Sequence, residues 1–147
     1  MRALGVDLGS KRVGVAVSDS FGMVATPIEV VHRTGDRPAE HRRLAALVAE
    51  FEAEVVVVGM PYSLDGGVGP AAEAASAEVE ELRATIGVPV ETYDERLTTV
   101  TADRSLMEMK LTAAARRRMV DQVAAAVMLQ AWLDHRRLAP PHSHEAS

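Results

Sequence analysis

Apolar and polar positions alternate along this chain with two different periods, and the period separates strands from helices. In Ala3-Leu4-Gly5-Val6-Asp7-Leu8, the large apolar residues Leu4, Val6 and Leu8 fall on one face, and Gly5 and Asp7 on the other. That alternation predicts a strand over 3–8. Arg12 to Ser18 repeats it, and the short Gly9-Ser10-Lys11 link predicts a hairpin between the two. A third strand is expected over 24–31, where Pro27 suggests a place at a sheet edge. From Asp36 to Glu52 the spacing becomes helical: Leu44, Leu47, Val48 and Phe51 share one face, and Asp36 suits the cap. Val55-Val56-Val57-Val58, closed by Gly59, suits a strand buried on both faces, as in a parallel arrangement.

Met60 to Pro70 is rich in Gly and Pro and is expected to be a loop. A helix is predicted over 71–86, a short strand over 89–93, and a helix over 98–109 with Thr98 or Thr99 as its cap. The longest helix is expected over 113–137, and the polar residues 139–147 read as a disordered tail. The order β-β-β-α-β-α-β-α-α predicts an α/β fold, a mixed sheet flanked by helices. The 147 residues suit one domain, over 1–138.

Composition narrows the function classes. Cysteine is absent, which excludes a disulfide scaffold, a thiolate metal site and a cysteine nucleophile. No apolar run reaches about 18 residues, and Asp7 interrupts any signal-like start, so no membrane partner and a cytoplasmic location are expected. The net charge of −5 speaks against a nucleic-acid binder when taken alone. Its distribution says more. Basic residues gather at Lys11-Arg12, at Arg37, Arg42 and Arg43, and at Arg116-Arg117-Arg118, whereas Glu73, Glu78, Glu80 and Glu81 share one segment. Each cluster also reads as a solvated helix face.

Three acids fall where an apolar surface is expected. Asp7 lies in a strand, and a carboxylate there needs a partner, a proton or a metal, because burying it alone costs several kcal/mol. Pairing with Lys11 or Arg12 is the simpler alternative. Asp94-Glu95-Arg96 directly follows the last strand, at the carboxyl edge where α/β sheets bind ligands. The same three residues also suit an ordinary strand-to-helix turn. Asp121 has Ala124, Ala125 and Met128 as its helical neighbours, an apolar face, with an ion pair to Arg117 or Arg118 as the alternative. Carboxylates of this kind suit Mg²⁺ or Mn²⁺, and a two-metal arrangement suits phosphodiester hydrolysis. The histidines have no zinc-ligand spacing.

Four segments carry a resemblance: Val6-Asp7-Leu8-Gly9-Ser10-Lys11-Arg12-Val13-Gly14-Val15-Ala16, Val58-Gly59-Met60-Pro61, Asp94-Glu95-Arg96-Leu97-Thr98-Thr99 and Asp121-Gln122-Val123-Ala124-Ala125. In this order the chain resembles the YqgF (RuvX-type) nuclease family over about residues 2–137. Members of that family are described as pre-16S ribosomal RNA nucleases and as Holliday junction resolvases. The resemblance implies an RNase H-like fold with strand order 3-2-1-4-5, its first three strands antiparallel and the rest parallel. It implies metal-dependent cleavage of structured RNA, such as pre-16S rRNA, or of branched DNA. Asp7, Glu95 and Asp121 then look like catalytic acids and ligands of Mg²⁺ or Mn²⁺, with Glu95 favoured over Asp94. Lys11, Arg12, Arg96, Thr98 and Thr99 look like substrate-side residues. Ribosomal particles are a further implied partner, and the chain would act as a monomer or homodimer.

Two other classes remain open at this point. A non-catalytic RNA-binding assembly or transcription factor would keep the basic clusters without needing the three acids. An ATP-binding module of the actin or sugar-kinase type would share the Asp-x-Gly opening, but that fold normally needs two such domains.

Overall fold

The computed structural model describes residues 1–62, 67–97 and 113–138, with side chains on the last helix from Val123 to Arg137. Strands β1 (Ala3–Leu8), β2 (Arg12–Ser18) and β3 (Ala25–His32) come first, then helix α1 (Arg37–Glu50), β4 (Val55–Met60), α2 (Pro70–Thr85), β5 (Val90–Asp94) and α3 (Ala113–Leu138). The five strands form one sheet in the order β3-β2-β1-β4-β5. β1 pairs antiparallel with β2, and β2 with β3, while β4 runs parallel to both β1 and β5. This is the RNase H-like arrangement that the resemblance implies. The helix expected over 98–109 and the tail over 139–147 lie outside the described residues.

Local chemistry explains the elements. The valines of β4 are buried on both faces, because the strand sits between β1 and β5 with helices above and below. Pro27 is tolerated because β3 is an edge strand, and the pairing with β2 slips by a bulge between Val15 and Ala16. Gln130 of α3 meets that end of the edge strand: its Oε1 accepts from Ala25 N–H at 3.0 Å, and its Nε2 donates to Met23 O at 2.9 Å. Asp36 caps α1 by accepting from Ala39 N–H at 3.1 Å.

Two cores flank the sheet. On one face Leu4, Val6, Val56 and Val58 pack with Leu44, Leu47, Val79 and Leu82 of α1 and α2. On the other face the sheet offers Ala3, Ala16, Val55 and Val57 to Ala125, Met128, Leu129, Trp132 and Leu133 of α3. Small sheet residues let α3 approach closely. A Cβ on Gly5 would stand 2.8 Å from Leu129 Cβ and 3.1 Å from the Ala125 carbonyl oxygen. Strand alternation assigns Asp7 to this α3 face. Among the described residues no helix is long and apolar enough to cross a membrane.

Candidate active site at the carboxyl edge of the sheet

Asp7 stands one residue from the carboxyl end of β1, among strands that leave room around it. Its partner on β2 is Gly14, and continuing the β1–β4 register beyond Val6–Val58 brings Gly59 alongside. On the far side of Gly59, β5 ends at Asp94 and a single 3₁₀ turn, Glu95–Leu97, follows. Glu95 folds back over Gly59: a Cβ on that glycine would be 2.8 Å from both Cγ and Oε1 of Glu95. The Glu95 carboxyl thereby hydrogen-bonds the Asp7 side chain.

Electrostatics follow from this placement. Burial, then the hydrogen bond to Asp7, then the charges of Asp7 and Asp94 push the Glu95 carboxyl up to about 8. Near neutral pH Glu95 therefore holds a proton, which it donates to the Asp7 carboxylate. Two acids sharing one proton in a half-buried place form a site that a cation relieves. All the donor atoms are oxygens, which fits Mg²⁺ or Mn²⁺. Among the described residues no third histidine or acid joins them to complete a metal cluster.

The neighbouring Asp94 is turned to another task. Its Oδ1 accepts from Arg96 N–H and Nε at 3.0 Å each, and its Oδ2 accepts from Nε at 2.9 Å and from Nη2. The Arg96 guanidinium hydrogen-bonded to it holds the Asp94 carboxyl below its ordinary range. Arg96 also lies over the Tyr62 ring, 5.9 Å from its centroid. Of the two adjacent acids, Glu95 is the one brought to Asp7.

Asp121 lies in α3, one turn before Ala125, whose carbonyl faces Gly5. Later α3 residues approach the other end of the sheet, where Leu133 and Met1 line one small cavity. The helix thus runs antiparallel to β1, and residue 121 falls toward the Asp7 end. The Asp121 side chain and its expected alternative partners, Arg117 and Arg118, lie outside the described side chains. Thr98 and Thr99 lie outside the described residues. Lys11 and Arg12 are exposed at the β1–β2 turn, two strands away from Glu95.

One cluster was not expected from sequence. Glu78 reads there as part of a solvated acidic face, but it is 3% exposed, and Glu40 and His41 are buried with it. Arg33 joins them: Nη1 donates to Glu78 Oε2 at 2.7 Å and to Glu40 Oε1 at 3.0 Å, and Nη2 to Glu78 Oε1 at 2.9 Å. His41 Nε2 lies 2.7 Å from Glu78 Oε2. Burial alone would raise the Glu78 carboxyl, but the hydrogen bonds from Arg33 and His41 outweigh it and lower it. Arg33, Glu40 and Glu78 line a cleft of about 700 Å³ at the same carboxyl edge, beside Gly9, Ser10 and Pro61. The signal was helical phase, since Glu78 lies three residues after Ala75 and four before Leu82, both buried.

Comparison with known proteins places these observations. A family described as "RuvX: Holliday junction resolvase" matches residues 1–135. A protein of Mycobacterium sp. (strain KMS) named "Putative pre-16S rRNA nuclease" is 52% identical over 139 residues, covering 94% of this chain and 82% of its own. A Myxococcus xanthus protein of the same name is 47% identical over 141 residues, covering 96% and 91%. Among solved structures, Thermus thermophilus RuvC in complex with a Holliday junction substrate aligns with a TM-score of 0.54. That alignment has 19% identity and covers 94% of this chain and 96% of RuvC, a likeness of fold.

Proposed function

The chain belongs to the RuvX family, and from that premise we propose that it is a metal-dependent nuclease that cleaves phosphodiesters in structured nucleic acid. The observation that carries this reading is the Asp7–Glu95 pair, two acids brought together over Gly59 at the carboxyl edge of the sheet. The relatives named as pre-16S rRNA nucleases favour a 16S ribosomal RNA precursor as substrate, with maturation of its 5′ end as the reaction we propose. The family description favours a four-way DNA junction as the second reading.

In this reading Asp7 and Glu95 would hold a divalent ion, Mg²⁺ or Mn²⁺, and Asp121, on α3, would be the third ligand. When bound, the ion supplies Lewis-acid polarisation of the phosphodiester and neutralises charge at the reaction centre. On binding, the proton that Glu95 shares with Asp7 would pass to solvent, and both carboxylates would then offer oxygen donors. Arg96, anchored through Asp94, offers a guanidinium to a substrate phosphate at the rim. Lys11 and Arg12 meet the backbone from the β1–β2 turn, and Thr98 and Thr99 position the substrate. The cations at this edge offset the chain's negative total charge where a polyanion approaches.

The test is cleavage of a labelled 16S rRNA precursor and a four-way DNA junction, side by side, with Mn²⁺ or with EDTA. Mn²⁺-dependent cleavage of the precursor is expected. Cutting of the junction alone selects the second reading. Binding without cleavage of either would overturn the nuclease reading in favour of a non-catalytic RNA-binding factor.

A further inference from the structure

We propose that Arg33 is a positioning residue for this reaction: it clamps the turn that follows Asp7 and carries Lys11 and Arg12. The inference rests on the nuclease reading above. Arg33 grips both ends of that turn, its backbone N–H donating to Lys11 O at 2.9 Å and its Nε to Gly9 O at 3.0 Å. The turn has little freedom of its own. Gly9 N–H donates to Arg12 O at 2.9 Å, and a Cβ on Gly9 would stand 2.4 Å from that same oxygen. Gly9 N also lies 3.2 Å from Asp7 O, which links the turn to the residue bearing the carboxylate.

The clamp is itself held rigidly. The Arg33 guanidinium meets Glu78 through two nitrogens and Glu40 through one of them, while Nε points to the turn. Glu40 is fixed in turn by Thr34 N–H at 2.8 Å, and Glu78 by His41 at 2.7 Å. A planar five-donor fork makes these contacts at once, and an ammonium does not. Helices α1 and α2 therefore reach the turn from the sheet face opposite α3. Buried ion pairs add little stability beyond what apolar packing at the same place would supply. What the cluster supplies is placement of the turn. A misplacement of about 1 Å can lower a catalytic rate by about a hundredfold.

The test is Arg33→Lys, which keeps the charge beside Glu40 and Glu78 but gives up the contact to Gly9 O. Amide hydrogen exchange at Gly9 and at residue 33 should quicken about tenfold. With Mn²⁺, kcat should fall between about 10-fold and 100-fold. The salt dependence of nucleic-acid affinity should stay as in wild type, because it counts charges, and none is lost. Leu47→Val, a core variant, serves as a control that lowers the melting temperature without touching the turn. If Arg33→Lys fails to fold, the triple variant Arg33→Met, Glu40→Gln, Glu78→Gln removes the buried charges together and takes its place. Wild-type exchange at Gly9 in the folded variant overturns the clamp, and a loosened turn with wild-type kcat overturns its role in the reaction. A wild-type chain that cleaves neither substrate overturns the nuclease reading and with it the role in catalysis, while exchange still decides whether the clamp exists.

Discussion

Glu95 reaches Asp7 across an intervening strand, and it does so because Gly59, the β4 residue between them, has no side chain. β1 and β5 are not neighbours in the sheet, so a carboxylate from each would ordinarily be separated by a β4 side chain. The glycine converts two edge acids into one site.

Asp7→Asn should abolish cleavage while the protein stays folded. The amide keeps the shape of the carboxyl but is a poor ligand for a divalent ion. It also removes one of the charges that raise Glu95, so the melting temperature should hold or rise. Cleavage at the wild-type rate, measured with Mn²⁺ on either nucleic acid, would remove Asp7 from the mechanism.

Stability should depend on pH through Glu95. The unfolded chain releases this proton near the ordinary glutamate value of 4.5, and the folded chain retains it to about 8. Between those values the folded state binds more protons than the unfolded state, so stability falls as pH rises and levels off above about 8. With partial solvation allowed for, the loss is on the order of 2 kcal/mol. Glu95→Gln should flatten this slope, as should millimolar Mn²⁺, which in the proposed site would take the proton's place. Melting curves at pH 5, 7 and 9, with and without Mn²⁺, check it; a slope unchanged in Glu95→Gln would point to another group.

Arg96→Ala should weaken nucleic-acid binding and reduce the steepness of its salt dependence by about one ion, as expected for one lost phosphate contact. It also leaves the Asp94 carboxylate without the guanidinium that it holds. Filter binding in EDTA over a range of salt concentrations reads both effects. An unchanged slope would make Arg96 a structural partner of Asp94 and nothing more.

Gly5→Ala should destabilise the fold by about 1–3 kcal/mol, the usual cost of overpacking. The added methyl meets Leu129 Cβ and the backbone carbonyl of Ala125, neither of which is the free end of a flexible side chain. Helix α3 must lift, and Asp121 with it, so activity should fall more than folding does. Denaturant melts and initial rates on the same preparation separate the two losses.

Much of this fold is legible in local pattern. The valine run marks β4 as a strand buried on both faces, Asp36 marks the start of α1, and Pro27 marks β3 as an edge, because each expresses a rule that acts over a few residues. The strand order came through the resemblance. Two features were not legible, for physical reasons. Which of Asp94 and Glu95 turns toward Asp7 depends on the space over Gly59, which lies on another strand. The pairing of Arg33 with Glu78 joins residues 45 apart, and helical phase marks Glu78 as inward without saying what meets it.

The gap over Gly59 also gives a way to part where a charge sits from whether it exists. Gly59→Ala would place a methyl within 2.8 Å of Glu95 Cγ and Oε1, atoms of a side chain that can swing aside. Such a chain would keep every ionisable group and its whole surface, yet its two acids would be pushed apart. It would be an isoelectric decoy, gripping the same nucleic acid as the native protein and releasing it uncut.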